Sequence, residues 1–227
     1  MKRYLLAIAL VLATVGFAEA GPFEDGLAAY EDGDISEAVK LWRQAAEQGN
    51  AKAQYELGVF YADGEGVPQD YAEAAKWFRL AAEQGVDHAQ FNLGVYYAEG
   101  RGVPQDYTEA AEWFRMAAEQ GYADAQFNLG IAYAEGKGVP QDRAEAAGWW
   151  RLAAEQSHAS AQYGLGFLYE QGEGVPQDTV LAHMWYNLSA AQGNTDAQES
   201  RETVAKNMTR DQIATAQKMA WEWKPKQ

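Results

Sequence analysis

The stretch DGEGVPQDYAEAAKWF, from Asp63 to Phe78, decides how this chain folds. Its glycine-rich first half has the look of a loop that cradles a phosphate. The same text returns as EGRGVPQDYTEAAEWF from Glu99, as EGKGVPQDRAEAAGWW from Glu135 and, altered, as QGEGVPQDTVLAHMWY from Gln171. A catalytic loop is needed once, whereas a segment that recurs at a fixed interval is a structural unit. A phosphate loop follows a strand and ends in Gly-Lys-Ser/Thr. No strand pattern precedes this one, and Lys137 is followed by glycine. The turn therefore reads as a hinge. Gly64 ends one helix, Gly66 turns the chain, Pro68 stiffens the approach and Asp70 caps the next helix.

The interval is 36 residues: Gln54, Gln90, Gln126, Gln162 and Gln198 keep it, as do Leu57, Leu93, Leu129 and Leu165. Gly58, Tyr61, Asp70 and Trp77 recur in the same register. Each unit reads as two helices. In the first, about Ala51 to Asp63, residues Ala53, Gln54, Leu57, Gly58 and Tyr61 share one face. In the second, Asp70 to Gln84, residues Ala74, Trp77, Phe78, Ala81 and Ala82 form the apolar stripe. Trp77 and its equivalents read as core. Mid-helix Gly58 costs about 1 kcal/mol against alanine, which points to close approach by the second helix. Asp70 with Glu73, Asp106 with Glu109 and Asp142 with Glu145 read as capping pairs. The residue ahead of the second turn glycine varies as Glu65, Arg101, Lys137 and Glu173, and reads as solvated surface.

The pattern A-x-A-Q-[YF]-x-L-G-x-x-Y-x-x-G-x-G-V-P-Q-D…A-x-x-W…A-A-E-Q-G resembles the Sel-one-like repeat, a longer relative of the tetratricopeptide repeat. Four full copies occupy 51–86, 87–122, 123–158 and 159–194. The resemblance implies an all-α fold, a right-handed α/α solenoid of stacked antiparallel helix pairs. It also implies a protein-interaction scaffold rather than an enzyme. Residues 21–50 form a shortened unit like a tetratricopeptide repeat. There Tyr30-Glu31-Asp32-Gly33 aligns with Tyr61-Ala62-Asp63-Gly64, the next five residues are missing, and Asp34 with Glu37 resumes as a cap. Residues 195–227 start a fifth first helix and then change to a capping helix. Thr209 with Gln212 opens that helix as a capping box. Its stripe of Ile213, Ala216, Ala220 and Trp223 is placed to seal the open end.

Ahead of the repeats, residues 1–20 read as a secretory signal peptide. Lys2 and Arg3 precede an apolar run of 14 residues, Tyr4 to Phe17. Ala18-Glu19-Ala20 then sets cleavage between Ala20 and Gly21. The run falls short of the roughly 20 residues a spanning helix needs, so no stable membrane insertion is expected after cleavage. The expected location is the periplasm of a Gram-negative bacterium, or secretion from it. Cysteine is absent, so an exported chain must hold together by packing alone. The formal charge is −15, and loss of Lys2, Arg3 and Glu19, net +1, takes it to −16. Such a surface repels nucleic acid and favours a basic protein or peptide partner.

Chemistry is sparse. His88, His158 and His183 occupy different repeat positions, and none belongs to an H-E-x-x-H pair. Asp32, Asp34 and Ser36 imitate the start of a calcium loop, but Glu37 and Arg43 stand where that loop needs glycine and glutamate. No metal or cofactor is expected. Some cysteine-rich members of the family that the repeats resemble are described as penicillin-binding or β-lactam-hydrolysing. That makes a cell-wall or β-lactam hydrolase the alternative, although the cysteines, G-x-S-x-G and S-x-x-K are all missing here.

Binding must then use positions that packing leaves over. On a helical wheel, the side of the first helix opposite Leu57 carries Tyr55, Phe91, Phe127 and Tyr163. It also carries Val59, Val95, Ile131 and Phe167, with Asp63, Glu99, Glu135 and Glu170 at its edge. In the tetratricopeptide family this side lines a concave groove, so these residues are the candidate partner site. The same ribbon also suits a seam between neighbouring first helices.

Overall fold

The computed structural model describes residues 21–225, which form twelve α-helices and no strand. They are α1 (Pro22–Glu31), α2 (Ile35–Glu47), α3 (Ala51–Asp63), α4 (Tyr71–Glu83), α5 (Asp87–Glu99) and α6 (Tyr107–Glu119). Then follow α7 (Ala123–Glu135), α8 (Arg143–Glu155), α9 (Ala159–Gln171), α10 (Thr179–Ala191), α11 (Thr195–Ala205) and α12 (Arg210–Glu222). From α1 to α11 each helix packs on the one before and the one after it, so pairs stack into a solenoid. The expected signal peptide lies outside the described residues. Among the described residues no helix is long and apolar enough to cross a membrane.

The glycine at the middle of each first helix explains the pairing. A Cβ on Gly58 would stand 2.5 Å from the ring of Phe78. The same seat holds Phe114 over Gly94, Trp150 over Gly130 and Tyr186 over Gly166. The helix-propensity cost of glycine is thus offset by a large ring packed flat on the backbone. The expectation of a core tryptophan holds at Trp113 and Trp185, which are buried, and is corrected at Trp77 and Trp149. The deepest aromatic is the residue after the tryptophan: Phe78 is 2% exposed, while Trp77 and Trp149 are only half-buried. Trp77 packs on the cluster built by α2 and α3, and Trp113 on the one built by α4 and α5. The tryptophans therefore join one unit to the unit before it.

Asp70, Asp106 and Asp142 each accept from two backbone N–H groups at the start of the next helix. Their glutamate partners do not bond back, contrary to the sequence expectation. The Asp70 N–H already donates to the Tyr61 carbonyl at 2.9 Å, and Asp106 and Asp142 repeat that bond to Tyr97 and Tyr133. Glu73 instead pairs with Lys76 at 2.8 Å. The box expected at Thr209 and Gln212 is reciprocal, at 3.2 and 2.8 Å.

The first unit needs a shift of one residue. A Cβ on Gly26 would meet the Trp42 ring at 2.6 Å, so Gly26 occupies the place of Gly58. Asp34 N–H donates to Ala29 O as Asp70 N–H does to Tyr61 O. Tyr30 therefore matches Ala62, not Tyr61, and the turn is shorter by four residues rather than five. The gap had hidden this, because Tyr30 next to an acidic residue and glycine imitates the later text.

Candidate functional site

Three sets of polar contacts repeat between units and hold the exposed face in register. Gln54 donates to Ala46 O at 3.0 Å and accepts from Gln84 Nε2 at 2.6 Å. Gln90, Gln126 and Gln162 make the same two bonds, so each buried amide ties three helices. Arg43 donates to Tyr61 and Arg79 to Tyr97, while Arg115 reaches Tyr133 at 2.8 Å and Arg151 reaches Tyr169 at 2.7 Å. The third set lies at the turn. The Arg101 guanidinium stands 5.9 Å from the Tyr71 ring centre and the Lys137 ammonium 5.8 Å from that of Tyr107. Where the preceding helix starts with Arg143 instead of tyrosine, the turn residue is Glu173, and the two pair at 2.8 Å. The position is exposed at Glu65, Arg101 and Lys137, as expected of solvated surface, and from Arg101 onward it also makes a contact between units, with its charge matched to the residue it meets.

Consecutive first helices come close mainly through side chains: Tyr30 meets Phe60 at 5.7 Å across α1 and α3, and Tyr55 meets His88 at 6.0 Å across α3 and α5. The second helices carry most of the packing between them, so the ribbon is only partly a seam between first helices. It is not wholly free either. Tyr55, Phe91, Phe127 and Tyr163 are half-buried. Their rings lie 5.9 Å from Phe78, 5.9 Å from Phe114, 6.4 Å from Trp150 and 5.7 Å from Tyr186. Phe91 also meets Tyr122 at 5.1 Å, and Phe127 stacks on His158 at 4.7 Å. The second row packs on the core in the same way except at its end. Val59, Val95 and Ile131 are half-buried, and Phe167 is 42% exposed. With the corrected register, Leu27 (38%) and Tyr30 (42%) extend this row into the first unit. Sequence reading missed them because the shortened turn displaced the alignment.

Two clefts open along this face. One, about 260 Å³, has Val95, Glu99, Ile131 and Lys137 around a floor that includes Phe114. The other, about 360 Å³, brings Phe127, Ile131, Glu135, Tyr163 and Phe167 together over Trp150. The acidic edge is less uniform than expected. Asp63 is exposed, Glu99 pairs with Arg101, and Glu135 pairs with Lys137 at 2.6 Å. Glu170 stands one position earlier in its repeat and accepts from the Tyr186 hydroxyl at 2.6 Å. It is a structural acceptor, not part of the margin.

Burial, helped by nearby Asp124, pushes the Tyr122 phenol up to about 12. His158 Nδ1 accepts the Ala161 N–H at 3.1 Å, and its Nε2 faces Asp124 at 3.1 Å. His183 is 3% exposed with Nδ1 unpartnered, and burial, then Arg201, lowers its pKa. Among the described residues no cluster of three histidines and carboxylates is placed to hold a metal ion.

A stack of helix pairs with an aromatic and aliphatic face defines an α/α repeat solenoid. Five consecutive matches to the Sel1 repeat, at 23–50, 51–86, 87–122, 123–158 and 159–194, show that the chain belongs to that family. It is similar to a Sel1 repeat protein from Oxalobacter formigenes, at 32% identity over 91% of this chain and 90% of the other, with a TM-score of 0.76. It is also similar to a protective antigen of uropathogenic Escherichia coli with an SLR fold, at 39% identity and a TM-score of 0.79. That match covers 88% of this chain and 45% of the antigen. A negative regulator of exopolysaccharide production from Rhizobium leguminosarum bv. viciae is 46% identical over 55 residues, 23% of this chain and 21% of the regulator. This chain thus spans less than half the length of either the antigen or the regulator. Sel1 repeat proteins act as protein-interaction scaffolds and are generally non-catalytic.

Proposed function

We propose that this protein is exported and works in the bacterial envelope as an adaptor or regulator. It binds a protein or peptide, with basic character, along the face of its first helices. The observation that carries the reading is the pair of clefts lined by residues from consecutive repeats that the packing of units leaves open. The 46% identity over 55 residues with an exopolysaccharide regulator supports a regulatory role. A leader over 1–20 supports export and predicts a mature chain that starts at Gly21.

Crosslinked capture from the cell envelope tests the reading, followed by affinity and unfolding measurements on Val59→Ser and Val95→Ser. Val59 and Val95 pack on the core as Phe91 and Phe127 do, so the unfolding midpoint is read beside the affinity for each variant. Affinity per folded molecule should fall roughly tenfold for each, because apolar contacts at the centre of a patch carry most binding energy. A captured partner that binds both variants as tightly as the native protein, or turnover of a β-lactam reporter, would overturn the proposal.

A further inference from the structure

The two clefts differ in charge. The cleft over Phe114 contains Lys137 among its lining residues. The one over Trp150 contains no cation, and its ionisable residues are Glu135 and Asp196. Lys137 pairs with Glu135 but is held over Tyr107, on the other cleft. Arg201 is engaged by Asn187 at 2.8 Å. Asp196, on the first turn of α11, has no hydrogen bond or ion pair among the described residues.

The walls differ too. Position 56 of the repeat is Glu56, then Asn92, Asn128 and finally Gly164. A Cβ on Gly164 would lie 2.9 Å from Cε3 of Trp150, so the glycine lets α9 lie close against the indole, which forms the buried floor of the cleft. The Trp150 Nε1–H donates to Phe127 O at 3.1 Å, which fixes the ring. Phe127, Tyr163 and Phe167 complete an aromatic lining. Phe167 replaces the smaller Val59, Val95 and Ile131 of the other repeats.

We infer that this cleft is a subsite for a cationic side chain, a lysine or arginine, of the bound partner. The inference rests on the scaffold reading above and deepens it. A cation over the exposed face of Phe167 and beside Tyr163 is attracted by their quadrupoles, and Asp196, the carboxylate of this cleft that is not already paired, completes its charge. An apolar side chain would instead cover Asp196 without pairing it, which burial penalises. The volume of about 360 Å³ leaves room for a lysine stem as well as its head.

The test is an NMR titration of the folded chain with N-acetyl-lysine N-methylamide, followed at the Trp150 indole N–H. The norleucine and glutamate counterparts serve as controls. The lysine probe should shift the Trp150, Gly164 and Asp196 signals saturably, and the norleucine probe should bind roughly tenfold more weakly. Phe167→Ile, at an exposed position, and Asp196→Asn should each weaken the lysine probe about threefold or more, with unchanged unfolding midpoints. Equal binding of norleucine would overturn the inference in favour of an apolar slot. Non-saturable shifts spread over all acidic surfaces would overturn it in favour of bulk attraction. If a captured partner depends on Val59 and Val95 while the lysine probe fails here, only the subsite falls. If the probe binds and nothing is captured, the subsite stands and the scaffold reading falls.

Discussion

The inner repeats and the C-terminal end use the same positions for opposite purposes. In α5 and α7, Gly94 and Gly130 open a seat for a ring from the next helix. In α11 that position is Glu202, and the fully buried leucine position is Arg201. Gln198 keeps the glutamine register yet is exposed and turns to Glu202 at 3.3 Å instead of joining the ladder. A helix with a carboxylate in place of the glycine cannot accept a flat aromatic partner. Accordingly α12 does not pair with α11 but packs on α10, with Trp223 against Trp185 at 6.3 Å. The stack ends because the seat is gone, not because the chain runs out of helix. A solenoid needs such an end, since an uncapped unit would expose its apolar stacking face.

The largest expected contrast is between aromatics of the two regions. Phe114→Ala should cost about 3–5 kcal/mol, the usual range for a large buried ring. Trp223→Ala, half-buried beside one neighbouring helix, should cost less than half of that. Chemical denaturation of both variants measures it, and equal losses would break the distinction between inner units and cap.

A second contrast concerns two helical glycines. Gly94→Ala forces a Cβ to 2.7 Å from the Phe114 ring and should cost about 3 kcal/mol, as overpacking does. Gly148→Ala meets nothing within 4 Å and should raise stability by about 0.5–1 kcal/mol through helix propensity alone. The same pair of denaturation curves must therefore move in opposite directions if the seat is what glycine provides.

The amide ladder gives the next effect. Gln126→Ala removes two bonds of the ladder, its own to Ala118 O and the one it accepts from Gln156, and should cost about 1–2 kcal/mol. Gln198→Ala, beyond the end of the ladder, should change stability by less than about 0.5 kcal/mol. Similar losses at both would mean that the ladder continues into α11.

The smallest effect lies at Ser157, which has φ of 72° where Gly49, Gly85, Gly121 and Gly193 serve the other units. Ser157→Gly should stabilise by up to about 1 kcal/mol, because a left-handed residue with a side chain is strained. A loss of stability would show that the serine has a compensating bond.

Much of this was legible in the residues. Helix bounds, the glycine seat and the Asp70 caps all follow from local chemistry, and each was readable at one position and repeated at three more. The candidate face was legible as a ribbon, but its open part was not. Val59 and Phe167 hold the same position in their repeats, yet only the packing shows that Val59 lies on the core and that Phe167 is exposed. The contacts of Arg101, Lys137 and Glu173 were not legible because their partners Tyr71, Tyr107 and Arg143 lie thirty residues earlier, in another unit. Leu27 and Tyr30 were missed through the displaced alignment of the first unit, and Gly164 carries no meaning until Trp150 is seen beneath it.

The sequence by itself determined the all-α repeat architecture, because a 36-residue period with caps and turns encodes contacts that are close along the chain. Only the tertiary structure decided which part of the ribbon stays open, which carboxylates are already paired and why the stack stops at α11. Those outcomes depend on atoms from the units before and after, and a helical wheel gives the direction of a side chain but not what stands opposite it.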